Sequence, residues 1–350
     1  MTKTSRDSNM ELLRITAMVL IMLIHASYRA LPLPDSTTIA ANPSSSFLLI
    51  MTRSFSIIGV DVFVMLSGWF GIRPRLSRLT ELLFQILFFG LLCLMADYLY
   101  TGRLPFSATE SGKTLLLLDH DSYWFLKCYI GLYLLSPVLN LFVEHATRRQ
   151  FAVVLASLFA FQFAFGWIFE ATNWLCAGYS LPSFMCLYLL ARYLHIHQPW
   201  FAHFNRLTDL SIYVGMAAIV TLTVFFMRRY FNLGGVLYFY NSPTTILSAT
   251  YLLLFFTKLS LRSRLVNWLA ISVLSIYLTH SSSFVGHYYD ELIRLWFYGE
   301  TRPRFLFYAA MLIVGVFFGS ILIDKVRLLV WKFLERAFKQ VSNHLKNNTL

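Results

Sequence analysis

The chain has 350 residues, of which 57% are hydrophobic and 13% are charged, and its formal net charge is +12. Soluble domains carry about 25% charged residues, so this composition excludes an ordinary soluble protein and predicts a polytopic membrane protein of the all-α class. The positive charge does not indicate a nucleic-acid partner. Lysines and arginines lie in short segments between apolar runs, where lipid head groups and membrane topology account for them.

The first apolar run, 11–31, is expected to be a transmembrane helix. Leu31-Pro32-Leu33-Pro34 ends it in place of the small-residue site that a cleaved signal peptide needs. In the run 175–191, Pro182 is expected to interrupt the helix. Runs long enough to span a bilayer, at about 20 residues each, predict ten helices, at 11–31, 47–70, 80–99, 123–143, 151–169, 175–191, 208–227, 235–256, 267–286 and 305–323.

The distribution of basic residues predicts the orientation of these helices. With the N-terminus in the cytoplasm, most lysines and arginines between the runs fall in cytoplasmic segments, as the positive-inside rule requires, and both termini are then cytoplasmic. We predict a transmembrane domain at 1–325 and a basic amphipathic cytoplasmic tail at 326–350. In that tail, apolar residues recur at three- and four-residue steps beside Lys332, Arg336 and Lys339, which favours a helix lying on an anionic leaflet.

The first run contains Arg14 and His25, and ionisable residues inside a membrane span usually mark a functional site. Eleven residues make about three helical turns, about 16 Å, so both side chains should lie on one face. Each residue also has an ordinary explanation. Arg14 could extend towards the cytoplasmic surface, and His25 could be a hydrogen-bonded interior residue. A purely structural helix would not need the pair on one face.

Four segments together resemble the membrane acyltransferase 3 family. "LLRITAMVLIMLIH" matches its Arg-x10-His signature, and "GVDVFVMLSGWFG" is similar to its Gly-x-Asp-x-Phe-Phe-x-x-Ser-Gly element, with Val64 in place of the second Phe. "YWFLKCYIGLYLLSPVLN" and "ISVLSIYLTH" resemble its fourth-helix and late-helix patterns. The resemblance covers essentially the whole chain.

The resemblance implies a multi-pass O-acetyltransferase of the bacterial inner membrane. Such an enzyme transfers acetyl from cytoplasmic acetyl-CoA, a co-substrate rather than a bound cofactor, to a hydroxyl of an envelope polysaccharide or lipid-linked glycan. The residues agree with this chemistry. A neutral imidazole suits the general base, so we assign that role to His25 near the outer face. A guanidinium binds phosphate, so Arg14 suits the acyl-CoA side.

Further polar groups are expected to support this pair from the outer halves of their spans. Arg53, Lys127 and His280 predict a polar vestibule for the acceptor, although Arg53 could be an interfacial anchor and His280 an interface hydrogen bond. Asp61, near mid-membrane, is expected as the counter-ion of Arg53, Lys127 or Arg14 rather than as a catalytic residue.

Two other residues of the supporting set have competing interpretations. Ser67-Gly68 predicts a close helix crossing, with a nucleophilic role for Ser67 as the alternative. Trp124 either stacks on a sugar ring or belongs to the membrane interface. His195, His197 and His203 do not indicate a metal site, because no cysteine or acidic residue accompanies them. The alternative function is a polytopic transporter of a glycan or small anionic solute, which would favour inverted repeats that the sequence does not show.

Overall fold

The computed structural model describes residues 8–102, 123–170 and 175–348, with side chains described as far as 337. Every regular element in these ranges is helical, which confirms the predicted all-α class. The α-helices are α1 (Ser8–Ile24), α2 (Ser36–Ala41), α3 (Pro43–Ser56), α4 (Gly59–Phe70), α5 (Leu76–Thr101), α6 (Trp124–His145), α7 (Arg148–Gln162), α8 (Leu181–His197), α9 (Arg206–Phe231), α10 (Pro243–Thr257), α11 (Arg264–Ala270), α12 (Val273–His280), α13 (Ser283–Gly299) and α14 (Arg302–Asn348).

Within the described ranges, seven helical segments are long and apolar enough to cross a membrane. They match seven of the ten predicted runs, and the chain is therefore a polytopic helical membrane protein. The other three runs form shorter helices: α8 has 17 residues, α10 has 15, and the run 267–286 is broken between α11 and α12. The count of ten spans and the cytoplasmic position of both termini stay predictions.

The run 175–191 is divided next to Pro182, as expected, because this proline begins a helix. Ser180 caps α8 by accepting a hydrogen bond from the backbone N–H of Ser183, and Pro182 occupies the first turn. Proline is tolerated there, because the first N–H groups of a helix have no partner within the helix. The predicted start of this run at residue 175 therefore moves to Leu181.

The chain forms two compact units, of which the first comprises Met1–Pro74, Tyr123–Ala270 and Asp290–Leu295. Within it, two glycines of α4 permit close helix contacts. A Cβ on Gly59 would lie 2.9 Å from the carbonyl oxygen of Ala17 in α1, and a Cβ on Gly68 would lie 2.5 Å from that of Tyr188 in α8. The predicted close crossing at Ser67-Gly68 is confirmed.

The start of α1 is fixed by hydrogen bonds to the end of α10 and to the segment that follows it. The side-chain amide of Asn9 donates to the carbonyl of Phe256 over 2.9 Å, and the N–H of Ser263 donates to Ser8 Oγ over 2.9 Å. Both Ser8 and Asn9 are buried. The helix that carries Arg14 and His25 is therefore held at its first turn as well as along its length.

The second unit comprises Arg75–Ser122, Ile271–Tyr289 and Trp296–Leu350. Its α5 and α14 are joined around the fully buried Asp324, which accepts hydrogen bonds from Gln85 over 3.0 Å and from Arg327 over 2.9 Å. Buried charges are retained in proteins where partners of this kind neutralise them.

The predicted tail continues α14 without a break, since this helix runs from Arg302 to Asn348. Arg327, near the start of the tail, is buried in the Asp324 cluster, and the ring of Trp331 packs 5.1 Å from that of Phe84 in α5. The first part of the tail thus packs against α5 of the second unit. The division at residue 325 stays a prediction, as does a position on the leaflet.

We expect Gly68→Ala to lower the stability of the protein by about 1–3 kcal/mol, because the added methyl group has no space beside the backbone of Tyr188. Gly215→Ala in α9 is the matched control, since no atom lies within 4 Å of its added Cβ. Thermal unfolding in detergent measures both. Equal midpoints for the two variants would contradict the close crossing.

Candidate functional site

The end of the first helix departs from regular α-helical geometry at His25. Residues His25–Arg29 form a π-helical turn directly after Ile24, and the N–H of Ala30 donates to the carbonyl of His25 over 3.1 Å. Such a turn adds a residue to the hydrogen-bonding ladder, and π turns are frequent at functional sites. No local pattern indicates this turn, because no proline or glycine lies within residues 25–29.

This π turn forms one side of a pocket of about 160 Å³. The first helix contributes one imidazole, one guanidinium, one phenol ring and one aliphatic side chain. Separate segments of the first unit supply the rest, most of it aromatic. The lining residues are Ile24, His25, Tyr28, Arg29, Ile57, Trp124, Tyr179, Tyr238 and Tyr240.

The wall opposite the first helix is a cluster of three aromatic rings. The ring of Trp124, at the start of α6, lies 4.5 Å from that of Tyr179 and 5.5 Å from that of Tyr240, and Tyr179 lies 5.0 Å from Tyr240. Rings at these distances pack favourably and present flat apolar faces with polar edges. The stacking role predicted for Trp124 is compatible with this position, because its ring lines the pocket.

A tight backbone turn positions two of these rings. Gly178 has a positive φ of 82°, and a Cβ there would lie 2.7 Å from the backbone nitrogen of Asn241. The N–H of Tyr240 donates to the carbonyl of Ala177 over 2.9 Å. The turn therefore joins the segment before α8 to the segment before α10, and it depends on glycine.

The pocket also contains a cation that the sequence analysis did not select. Arg29 forms an ion pair with Asp290, and its side chain is 32% exposed. The spacing of four residues from His25 could have indicated Arg29, since residues four apart share a helix face. Tyr179, Tyr238 and Tyr240 gave no such signal, because they lie more than 150 residues further along the chain.

His25 itself is half-buried and opens onto these rings. An imidazole can accept a proton from a bound hydroxyl group and return it, which is the requirement for general acid–base catalysis. His25 therefore lies at a pocket, and its role as general base stays a prediction.

Arg14 lies on the same helix but outside the residues that line this pocket. Because α1 is regular from Ser8 to Ile24, Arg14 and His25 are separated by about 16 Å along the axis and share a face. Arg14 is half-buried and donates to Glu11 over 2.6 Å. Glu11 was missed by the sequence analysis, although its position three residues before Arg14 could have indicated an ion pair.

Arg53 does not belong to the pocket lining, contrary to the predicted vestibule. It is 1% exposed, and it donates to the backbone carbonyls of Ser27 and Leu31, each over 2.6 Å. The position of Arg53 in the outer half of its predicted span suggested that it faces the acceptor. In the structure, its long side chain instead extends from α3 to these two carbonyls and is buried there. The interfacial-anchor alternative is wrong for the same reason.

The predicted ion pair of Asp61 is also wrong. Asp61 is fully buried in α4, and neither of its carboxylate oxygens has a hydrogen-bond partner in the structure. Arg53 binds carbonyls and Arg14 binds Glu11, so these two predicted partners are occupied elsewhere.

Three other predicted residues have defined surroundings outside the pocket. Ser67 Oγ lies 3.1 Å from the hydroxyl oxygen of Tyr129, and Lys127 is half-buried one turn into α6. In the second unit, His280 is fully buried, its Nδ1 shares a hydrogen bond with the carbonyl oxygen of Ile276, and its ring packs on that of Tyr289. This hydrogen bond lies within α12, so the interface hydrogen bond and the supporting role of His280 stay predictions.

Two of the histidines near the end of α8, His195 and His203, are exposed, and His197 is half-buried. The ring of His195 lies 4.6 Å from that of Trp69, and the partial desolvation of this ring, with nearby Arg192, lowers the pKa of His195. His203 shares a hydrogen bond with the carbonyl of Gln198. In the part of the chain that the structure describes, no group of three His, Cys, Asp or Glu side chains is placed to hold a metal ion.

The fold and the pocket define a class: a multi-pass helical membrane protein with an imidazole in a pocket lined by aromatic rings. A family model described as an acyltransferase domain, that of the acyltransferase 3 family, matches residues 7–324. The chain belongs to this family and is a membrane acyltransferase, which confirms the resemblance of its four motifs. Neither a curated protein nor a solved structure matches the chain.

We expect Ser67→Ala to keep acyltransferase activity close to that of the wild type, because Ser67 lies outside the residues that line the pocket of His25 and contacts Tyr129. The assay measures transfer of labelled acetyl from acetyl-CoA in membranes. Loss of activity in a variant that reaches the membrane at normal levels would support the nucleophile alternative.

Proposed function

We propose that this acyltransferase moves an acetyl group from cytoplasmic acetyl-CoA to a hydroxyl of an envelope polysaccharide or lipid-linked glycan on the outer side of a bacterial inner membrane. The observation that carries the proposal is the imidazole of His25 in a pocket walled by aromatic rings. Such rings suit a sugar, which offers apolar ring faces and polar edges. Family membership supports acyl transfer over the transporter alternative.

The reaction step uses His25 as a general base. The acceptor hydroxyl oxygen bonds to the thioester carbonyl carbon while the neutral imidazole takes the hydroxyl proton. The carbon–sulfur bond then breaks, and the leaving thiolate of coenzyme A takes that proton from the imidazolium. General acid–base catalysis of this kind contributes about 10²–10⁴-fold to the rate.

Arg14 is proposed to bind the donor on the cytoplasmic side. A guanidinium recognises phosphate groups in a fixed geometry, and a phosphate of acyl-CoA would replace or share the contact with Glu11. The pantetheine arm would then extend along the first helix, over about 16 Å, to bring the thioester to His25. Membrane lipids surround the helices, and no bound cofactor is needed for this chemistry.

We expect His25→Ala to lower kcat by at least about 10²-fold, because the hydroxyl proton loses its acceptor. The decisive measurement is the O-acetyl content of surface polysaccharide in a deletion strain complemented with wild type or variant, alongside transfer of labelled acetyl in isolated membranes. His145→Ala is a matched control, since His145 is exposed at the end of α6. Full acetylation with His25→Ala would contradict the assignment.

Arg14→Gln should raise KM for acetyl-CoA more than KM for the acceptor, because a donor phosphate loses a charged partner. Glu11→Gln separates this role from the ion pair: if Arg14 binds the donor, loss of Glu11 leaves donor binding in place. Initial rates over a range of acetyl-CoA concentrations test both variants. A rise in KM for the acceptor alone would contradict a donor-side position.

A further inference from the structure

The backbone at the end of the first helix presents carbonyl groups that the helix itself cannot satisfy. The last carbonyls of any helix lack partners within it, and unsatisfied groups are costly in an apolar environment. Here side chains from distant segments supply the donors. Arg53 Nε donates to the carbonyl of Ser27 and Arg53 Nη2 to that of Leu31, each over 2.6 Å, and Arg294 Nε donates to that of Ala30 over 3.2 Å.

Arg53 is the more buried of these two arginines. It is 1% exposed and extends from α3 to the first helix, and its guanidinium carbon lies 5.2 Å from the centre of the Tyr28 ring. A cation at a helix C-terminus also interacts favourably with the helix dipole. Arg53 therefore contacts the first helix through two carbonyls and one ring.

The contacts of Arg53 are made to the segment that lines the pocket and to a residue that follows it. Ser27 lies within the π turn His25–Arg29 and Leu31 lies two residues beyond it, so the two carbonyls that Arg53 binds fix the turn and its exit. His25 and Tyr28, which belong to this turn, both line the pocket. A change in the path of the turn would move both side chains together.

We propose that Arg53 is a positioning residue, which holds the π turn so that His25 meets the acceptor in a reactive geometry; this inference rests on the proposed base role of His25. Arg53 acts through the backbone of residues 27 and 31 and does not touch the substrate. Misplacement of a catalytic group by about 1 Å can cost about 10²-fold in rate. The effect of losing Arg53 should therefore fall on kcat.

The test compares Arg53→Gln with Arg228→Gln in full-length protein in membranes. Arg228 is a matched control, because it also donates to backbone carbonyls of the next segment, those of Pro34 over 2.9 Å and Leu33 over 3.2 Å, yet it lies outside the described pocket lining. Two quantities are measured: kcat and KM for acetyl transfer, and the rate at which diethyl pyrocarbonate modifies His25, followed on its peptide by mass spectrometry.

We expect Arg53→Gln to lower kcat by about 10²-fold and to change the modification rate of His25. The KM for acetyl-CoA and the KM for the acceptor should stay near their wild-type values. Arg228→Gln should leave all of these quantities unchanged. A folded Arg53→Gln protein with wild-type kcat and modification rate would overturn the proposal. Equal effects of the two variants would overturn it too, since they would indicate a general loss of packing.

Two further variants keep the test decisive if Arg53→Gln does not reach the membrane. Arg53→Lys retains the charge but cannot make both hydrogen bonds in the fixed geometry of a guanidinium, and Arg294→Gln removes the contact with Ala30. Both variants should lower kcat, by a smaller factor than Arg53→Gln does. A wild-type kcat in both variants would overturn the proposal.

The modification rate separates this inference from the proposed function. If the wild-type protein transfers no acetyl group but His25 reactivity still depends on Arg53 and not on Arg228, the positioning of His25 stands and the proposed function fails. If acetyl transfer depends on His25 but neither quantity depends on Arg53, the proposed function stands and the positioning role fails.

Discussion

The structure of the site depends on one constraint: the first helix must end inside an apolar protein without leaving its last carbonyls unpaired. It ends in a π turn, and arginines from remote parts of the first unit complete the hydrogen bonding at Ser27, Ala30 and Leu31. Because His25 belongs to that turn, the same contacts that satisfy the backbone decide where the imidazole lies. The hydrogen bonding of the backbone and the position of the imidazole are thus aspects of one arrangement.

The first helix also relates the two halves of the proposed reaction. Arg14 pairs with Glu11 in the regular helix α1, and His25 begins the π turn that directly follows this helix and lines the aromatic pocket. The start of this helix is held through Asn9. A separation of this kind, between Arg14 and His25, suits the proposed reaction, whose substrates would approach from opposite sides of a membrane.

Much of this could be predicted from sequence, because the signals were local. Apolar length predicted the helical class and the long spans, and the separation of Arg14 and His25 predicted a shared face. The rest depends on contacts between distant residues. The partners of Arg53, the unpartnered Asp61, and Tyr179, Tyr238 and Tyr240 in the pocket are set by tertiary packing. Periodicity carries no information about such packing, nor about a π turn in an otherwise ordinary apolar helix.

The most direct measurement is a structure of the protein with a non-transferable acetyl-CoA analogue and an acceptor saccharide bound together. We expect the saccharide to pack against Trp124 and Tyr179, with its acceptor hydroxyl about 3 Å from the His25 ring and beside the thioester carbon. We also expect a phosphate of the analogue near Arg14. A saccharide bound away from His25, or an analogue whose thioester does not reach it, would contradict the central claim.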